Sequence, residues 1–163
     1  MKVLGATLGV LLLFGVPRLA TAKAWNGITP GSSTRADVVK KFGEPTKKVP
    51  DKAKEVLGYI GEQAIKGTTQ TQFTINGNGV VEQIVVFPAS QVDKATVEDN
   101  FGPACSGAPV NSTANCYTKK LTDDFRTYFW YKRLGLVIFF TEDGKSVYSF
   151  MYNAPGSGEK ATE

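Results

Sequence analysis

The sequence predicts an α+β fold: two tandem helix-plus-antiparallel-sheet repeats, with the helices packed on one face of the sheet. Three observations carry this. The segments "TRADVVKKFGEP" (residues 34–45) and "DKATVEDNFGPA" (residues 93–104) write one short helix twice, at an offset of 59 residues throughout. Each is followed by strand segments that end in a hairpin with a Gly-containing turn. A helix of two to three turns is marginal by itself, since isolated helices under about 12 residues rarely hold, so its apolar stripe must rest on a sheet. The repeats fall at residues 23–88 and 89–153, between a leader at 1–22 and a polar tail at 154–163.

In the leader, Lys2 supplies a short positive region and residues 3–16 are apolar and uncharged. Pro17 and Arg18 then break the stretch ahead of Ala20-Thr21-Ala22, a small-x-small cleavage pattern. This is the pattern of an export signal with Lys23 as the mature start, and the apolar stretch is shorter than the ~20 residues that cross a bilayer. Lipidation at the cleavage point would need a cysteine there, and the first is Cys105. The expected product is a periplasmic or secreted protein with no stable membrane insertion. Cleavage removes Lys2 and Arg18 and no acid, so 19 basic residues become 17 against 15 acidic and the net charge falls from +4 to +2. That balance gives no reason to expect nucleic acid as a partner.

After a short lead at Trp25-Asn26-Gly27-Ile28, Thr34 is placed to cap the first helix with Asp37 three residues on, a capping-box spacing. Ala36, Val38, Val39 and Phe42 make its apolar stripe, and Gly43 with Pro45 ends it. The second copy repeats this with Asp93 at the cap, Ala95, Val97 and Phe101 on the stripe, and Gly102 with Pro103 at the stop. Residues 55–59 and 127–132 are strand candidates, one in each repeat. Residues 71–87 read as two strands about Asn76-Gly77-Asn78-Gly79, and residues 136–152 as two about Glu142-Asp143-Gly144-Lys145. Placing Gly79 on Gly144 puts Ile75 opposite Phe140 and Ile84 near Ser149.

Cys105 and Cys116 flank a turn-rich segment, and in an exported chain an even cysteine count at loop spacing predicts a disulfide. Asn111-Ser112-Thr113 fits the N-glycosylation acceptor pattern. The tail at 154–163 is polar, rich in Gly and Ser, and expected to be disordered.

Chemistry has few carriers here. The chain has no histidine, which removes His-based triads and the familiar His-containing zinc sites, so no metal and no cofactor is expected. Asp123-Asp124 and Glu142-Asp143 are carboxylate pairs, but both sit in predicted polar turns where solvated acids are the ordinary finding. A non-enzymatic role follows.

"GITPGSSTRADVVKKFGEP" followed by a hairpin of the form "FTINGNGVVEQIVVF" resembles the SmpA/OmlA family of small outer-membrane lipoproteins, which assist assembly of outer-membrane β-barrels. The tandem arrangement is similar to that of the β-lactamase inhibitory proteins. The resemblance implies an envelope protein whose sheet binds a protein partner, in an outer-membrane-assembly or inhibitor-like role.

Aromatic residues concentrate in the second repeat. Strand side chains alternate between faces, so "TYFWYK" puts Tyr128 and Trp130 on one face and Phe129 and Tyr131 on the other. One face is core. The other either covers a partly buried sheet against its neighbour repeat or forms a binding surface, as Tyr, Trp and basic residues do. Tyr128, Trp130, Lys132, Tyr148, Phe150 and Tyr152 are the binding candidates, with the choice of face open. A second role, from a different class, is a carrier or surface module for an anionic lipid or polymer. It would use the basic first repeat, where Arg35, Lys40, Lys41, Lys47, Lys48, Lys52 and Lys54 outnumber Asp37, Glu44, Asp51 and Glu55; such a run is more often just a solvated helix face and loop.

Overall fold

The structure, a computed structural model, describes residues 22–106 and 115–154. The expected export signal up to residue 21, the glycosylation pattern at Asn111 and the polar tail from residue 155 lie outside these residues. Helix α1 (Arg35–Phe42) is followed by strands β1 (Lys47–Asp51), β2 (Lys54–Ile60), β3 (Thr68–Ile75) and β4 (Val81–Pro88). Helix α2 (Lys94–Phe101) is followed by β5 (Thr118–Leu121), β6 (Thr127–Tyr131), β7 (Leu136–Phe140) and β8 (Val147–Asn153). All eight strands join in one antiparallel sheet in the order β1-β2-β3-β4-β8-β7-β6-β5. Its centre is the seam between β4 and β8, where Ile84 faces Tyr152 and Val86 faces Phe150.

The helices form where their signals place them. The Thr34 hydroxyl accepts from the Asp37 amide at 3.2 Å while the Asp37 carboxylate accepts from the Thr34 amide at 2.8 Å, a complete capping box. Asp93 accepts from the Thr96 amide at 2.8 Å. These bonds hold the Asp37 and Asp93 carboxyls below the usual carboxylate range. Each helix then presents one fully buried valine, Val38 in α1 and Val97 in α2, to the sheet. The core beneath them is continuous across both halves, running from Leu57, Tyr59 and Phe73 through Ile84 to Phe129, Ile138 and Phe150.

Several local geometries occur once around each helix. The Tyr59 hydroxyl donates to the carbonyl of Gly43, just past α1, and the Tyr131 hydroxyl donates to that of Gly102, just past α2, both at 2.8 Å. The cap residues Thr34 and Asp93 make bridges to Val80 and Ser146, each next to a strand start. A bulge follows in each half, with Glu82 extra between the Thr74–Gln83 and Ile75–Val81 pairs, and Tyr148 extra between Phe139–Ser149 and Phe140–Val147. These correspondences match Ile84 to Phe150, one residue beyond the Ser149 expected from aligning the turn glycines, because the second turn holds one more residue before its strand resumes.

Strands β1 and β5 carry no sequence expectation, and β1 corrects one. Lys47 and Lys48 lie in a fully exposed edge strand, and Lys52 sits at its turn with φ 54°. The disulfide forms between Cys105 and Cys116 with Cα atoms 5.0 Å apart, tying the exit of α2 to the segment that enters β5. Closing so short a loop stabilises the fold by roughly 3 kcal/mol through chain entropy.

The buried tyrosines make the fold sensitive to alkali. Burial raises the hydroxyl pKa of Tyr152 to about 12, burial and then the 2.6 Å bond to Glu98 raise that of Tyr117 to about 12, and burial also raises Tyr59 and Tyr131. Unfolded tyrosines ionise near pH 10. Folded-state pKa values above the unfolded value mean that stability is undiminished below about pH 10 and is lost as pH rises toward 12. We expect the urea midpoint to fall over that interval while Tyr ionisation, followed in the near-ultraviolet, lags behind that of the denatured chain; parallel titration of both states would contradict the burial of these rings.

Candidate functional site

Both helices pack on the same face of the sheet, so the opposite face has no helix on it. Strand registers fix which side chains lie there. Tyr128 pairs with Phe139, Phe139 with Ser149, and Trp130 with Val137, which in turn pairs with Met151. Met151 pairs with Val85 across the seam, Val85 with Gln72, and Gln72 with Gly58. One row of aromatic, aliphatic and amide side chains thus crosses all of the central strands.

The ends of the row differ in chemistry. On the β5–β6 side, Trp130 is half-buried with the Lys120 ammonium 4.2 Å from its ring centre and that of Lys132 at 5.5 Å. Beside it Tyr128 and Phe139 pack ring to ring at 5.4 Å. On the β1–β3 side, Lys47, Val49, Val56, Ile60, Gln70 and Gln72 line a shallow trough with Gly58 at its floor. A Cβ at position 58 would meet only Lys47 Cβ at 3.7 Å and Lys47 O at 3.9 Å, which is ordinary contact, so a larger residue there would extend into the trough.

The six binding candidates do not stay together. Tyr128 and Trp130 lie on the open face, where Trp130 is half-buried but Tyr128 is only 5% exposed. Lys132 leaves the strand in a 3-10 turn (Lys132–Leu134) but still reaches the Trp130 ring. Phe150 and Tyr152 are corrected to the helix-covered face, where they are buried, Phe150 against Phe101 and Tyr152 opposite Ile84. The bulge explains this, because Tyr148 is the extra residue and strict alternation from it assigns the following residues to the wrong face. Tyr148 is 49% exposed and packs edge-on against Phe87 at 5.4 Å. Sequence reading missed Val85, Phe87, Val137, Phe139 and Met151. Only a long-range pairing between β4 and β8, whose partners lie 64 to 70 residues apart, brings them onto one face, and no local pattern announces it.

Edge pairing is a poor alternative to the open face. The free edge β1 carries Lys47, Lys48 and Pro50, and the other edge β5 carries Lys119 and Lys120. Lysines and a proline at sheet edges oppose addition of a further strand. Three cations of the first half are also engaged, Arg35 with Glu55 at 2.9 Å, Lys48 with Glu44 at 2.9 Å and Lys54 with Glu82 at 2.7 Å.

The carboxylate pairs serve turns. Asp124 accepts from the Thr122 hydroxyl and, at 2.7 Å, from Arg126 Nε; Asp143 accepts from the Thr141 hydroxyl at 2.6 Å and the Lys145 amide at 3.1 Å. These partners hold both carboxyls low, the opposite of what a general acid needs. No group of three or more His, Cys, Asp or Glu placed to hold a metal occurs among the described residues, and no helix there is long and apolar enough to cross a membrane. The disulfide is compatible with an exported protein.

The chain matches no protein-family model and no curated protein at a significant level. Among solved structures it is similar to a DUF4309 family protein, YjgB, from Bacillus subtilis subsp. subtilis strain 168, with 17% sequence identity, a TM-score of 0.51, and coverage of 79% of this chain and 83% of that one. A likeness at that identity concerns the fold alone.

Proposed function

We propose that this chain is a non-enzymatic exported envelope protein that binds a protein partner through the open face of its sheet, in an outer-membrane-assembly or inhibitor-like role. The observation that carries the reading is the sidedness of the sheet: both helices occupy one face while half-buried Trp130, Phe139, Met151 and Val85 line the other, with Tyr128 buried beside Phe139. Aromatic and Met side chains on a broad face are the residues that supply binding energy at protein interfaces. The architecture is two copies of one helix-plus-four-strand unit. The paired tyrosine-to-glycine bonds, the cap bridges and the matched bulges support that reading. Two units that each bury little surface share a core when joined, and their sheets make a wider face than one could.

The test is affinity capture from envelope extract with the disulfide-bonded protein from residue 23 onward, alongside Trp130→Ala and Gly58→Leu variants. A protein captured by the wild type and lost by both variants, at unchanged thermal midpoints, is expected. Capture of the same set by all three would remove the open face as the site. Binding to anionic vesicles that fades with salt would instead favour the basic first half, a reading that its engaged Arg35, Lys48 and Lys54 do not encourage.

A further inference from the structure

One end of the sheet holds a second surface, which borders the open face where Tyr148 packs on Phe87. Among the described residues, four large apolar side chains are exposed, and three of them, Leu121, Phe125 and Tyr148, belong to the end where β5, β7 and β4 finish and β6 and β8 begin. Phe125 is the extreme case. It is 82% exposed, and its backbone takes φ 62°, a left-handed conformation that a bulky residue rarely adopts. The turn around it is cross-braced: the Phe125 amide donates to the Thr122 carbonyl at 2.9 Å, the Arg126 amide to the Thr122 hydroxyl at 2.9 Å, and Arg126 Nε to Asp124 at 2.7 Å. A well-held turn that keeps an aromatic ring in water, in a conformation Asn or Gly would adopt with less strain, gains nothing for the fold.

Arg126, next to Phe125, also lines a groove of about 760 Å³ between the β4–α2 connection and the β7–β8 turn, with Pro88, Glu142, Asp143, Ser146 and Tyr148 among its walls. The two turns beside it contribute Asp123, Asp124, Glu142 and Asp143 against Arg126 and Lys145, an acidic excess on a chain whose net charge is +4. Arg126 and Lys145 are paired with Asp124 and Asp143, leaving Asp123 and Glu142 without an ion pair among the described residues.

We propose that this end is a second docking site, bordering the open face at Tyr148 but not using Trp130, which takes a segment of a partner protein carrying Lys or Arg beside an apolar residue, with Phe125 as the anchor. The acidic excess selects the basic residue, and Leu121, Phe125 and Tyr148 supply the apolar contact.

The probe is a library of random linear peptides displayed on phage, selected against the full disulfide-bonded protein and re-tested as synthetic peptides on Phe125→Asn and Trp130→Ala variants. The expected peptides are rich in Lys or Arg next to apolar residues and bind more weakly as salt rises. They should lose about tenfold or more in affinity on Phe125→Asn and nothing on Trp130→Ala. Asn tolerates the left-handed backbone, so the thermal midpoint of Phe125→Asn should stay level or rise. Acidic or uncharged peptides, no enrichment, or equal binding by Phe125→Asn would overturn the proposal, as would a fall in its midpoint of more than about 4 °C, which would make the ring part of the fold. Peptides lost on Trp130→Ala but kept on Phe125→Asn would leave the open-face reading standing and this one refuted.

Discussion

Phe73→Ala is expected to destabilise the protein by about 3–5 kcal/mol, the cost of emptying a fully buried aromatic site. Phe73 sits in the middle of β3 with no exposure, and its ring meets Phe42 of α1 at 5.7 Å, Tyr59 of β2 at 5.7 Å and Trp25 of the N-terminal lead at 6.1 Å. Phe42 of α1 meets the same Trp25 and Tyr59 rings, so helix, sheet and lead share one aromatic cluster with Phe73 at its buried centre. The cavity left by Ala could close only if α1 moved, and the capping box and the Tyr59–Gly43 bond hold both of its ends. Differential scanning calorimetry should show the midpoint falling by more than about 10 °C. A drop of a degree or two would mean that the aromatic cluster around Phe73 does not hold α1 to the sheet.

Gly135→Val should be comparably damaging, at about 3 kcal/mol or more, for a different reason. Gly135 has φ 60°, and any Cβ there would lie 2.6 Å from the backbone oxygen of Asn153. Asn153 is the last residue of β8 and nearly fully buried; its amide donates to the Gly135 carbonyl at 2.8 Å and its side-chain oxygen accepts from Gln83 of β4 at 2.9 Å. The close approach therefore sits at one end of the seam that joins the two halves of the sheet. A side chain at 135 must push β8 off this position, whereas Gly144→Ala, with φ 67° and open space around it, meets only the backbone strain and should cost about 1 kcal/mol. Hydrogen exchange resolved by residue would show Gly135→Val losing protection at Ile84, Val86, Phe150 and Tyr152, whose amides alternate with the Ala154–Glu82 bond across the seam, while Gly144→Ala leaves those amides slow. Equal effects of the two substitutions would mean that the seam does not depend on this contact.

The helices and hairpins could be read from the sequence because their signals are local. Thr34 with Asp37, Asp93, and the Gly-Glu-Pro and Gly-Pro stops mark helix ends within a few residues, and the Gly-containing turns mark the β3–β4 and β7–β8 hairpins. Strands β1 and β5 gave no such signal. "KKVPD" is exposed at every position and contains a proline, and "TKKL" is four residues long, so neither shows the alternation of a half-buried strand. The joining of β4 to β8 is set by packing between residues 64 to 70 positions apart and leaves no trace in either strand alone. The candidate site was legible only in part for the same reason: alternation within β6 puts Tyr128 and Trp130 on one face without saying which, and the bulge at Tyr148 separates Phe150 and Tyr152 from them.

The open face is tested most directly by site-specific photo-crosslinking in the living cell, with a benzophenone side chain placed in turn at Met151 and Gln72 on the open face and at Lys40 on α1. Binding through the open face predicts a shared adduct of one mass from positions 151 and 72, absent from position 40. The same adduct from position 40 with none from 151 or 72 would contradict it and move the interaction to the helix side of the sheet.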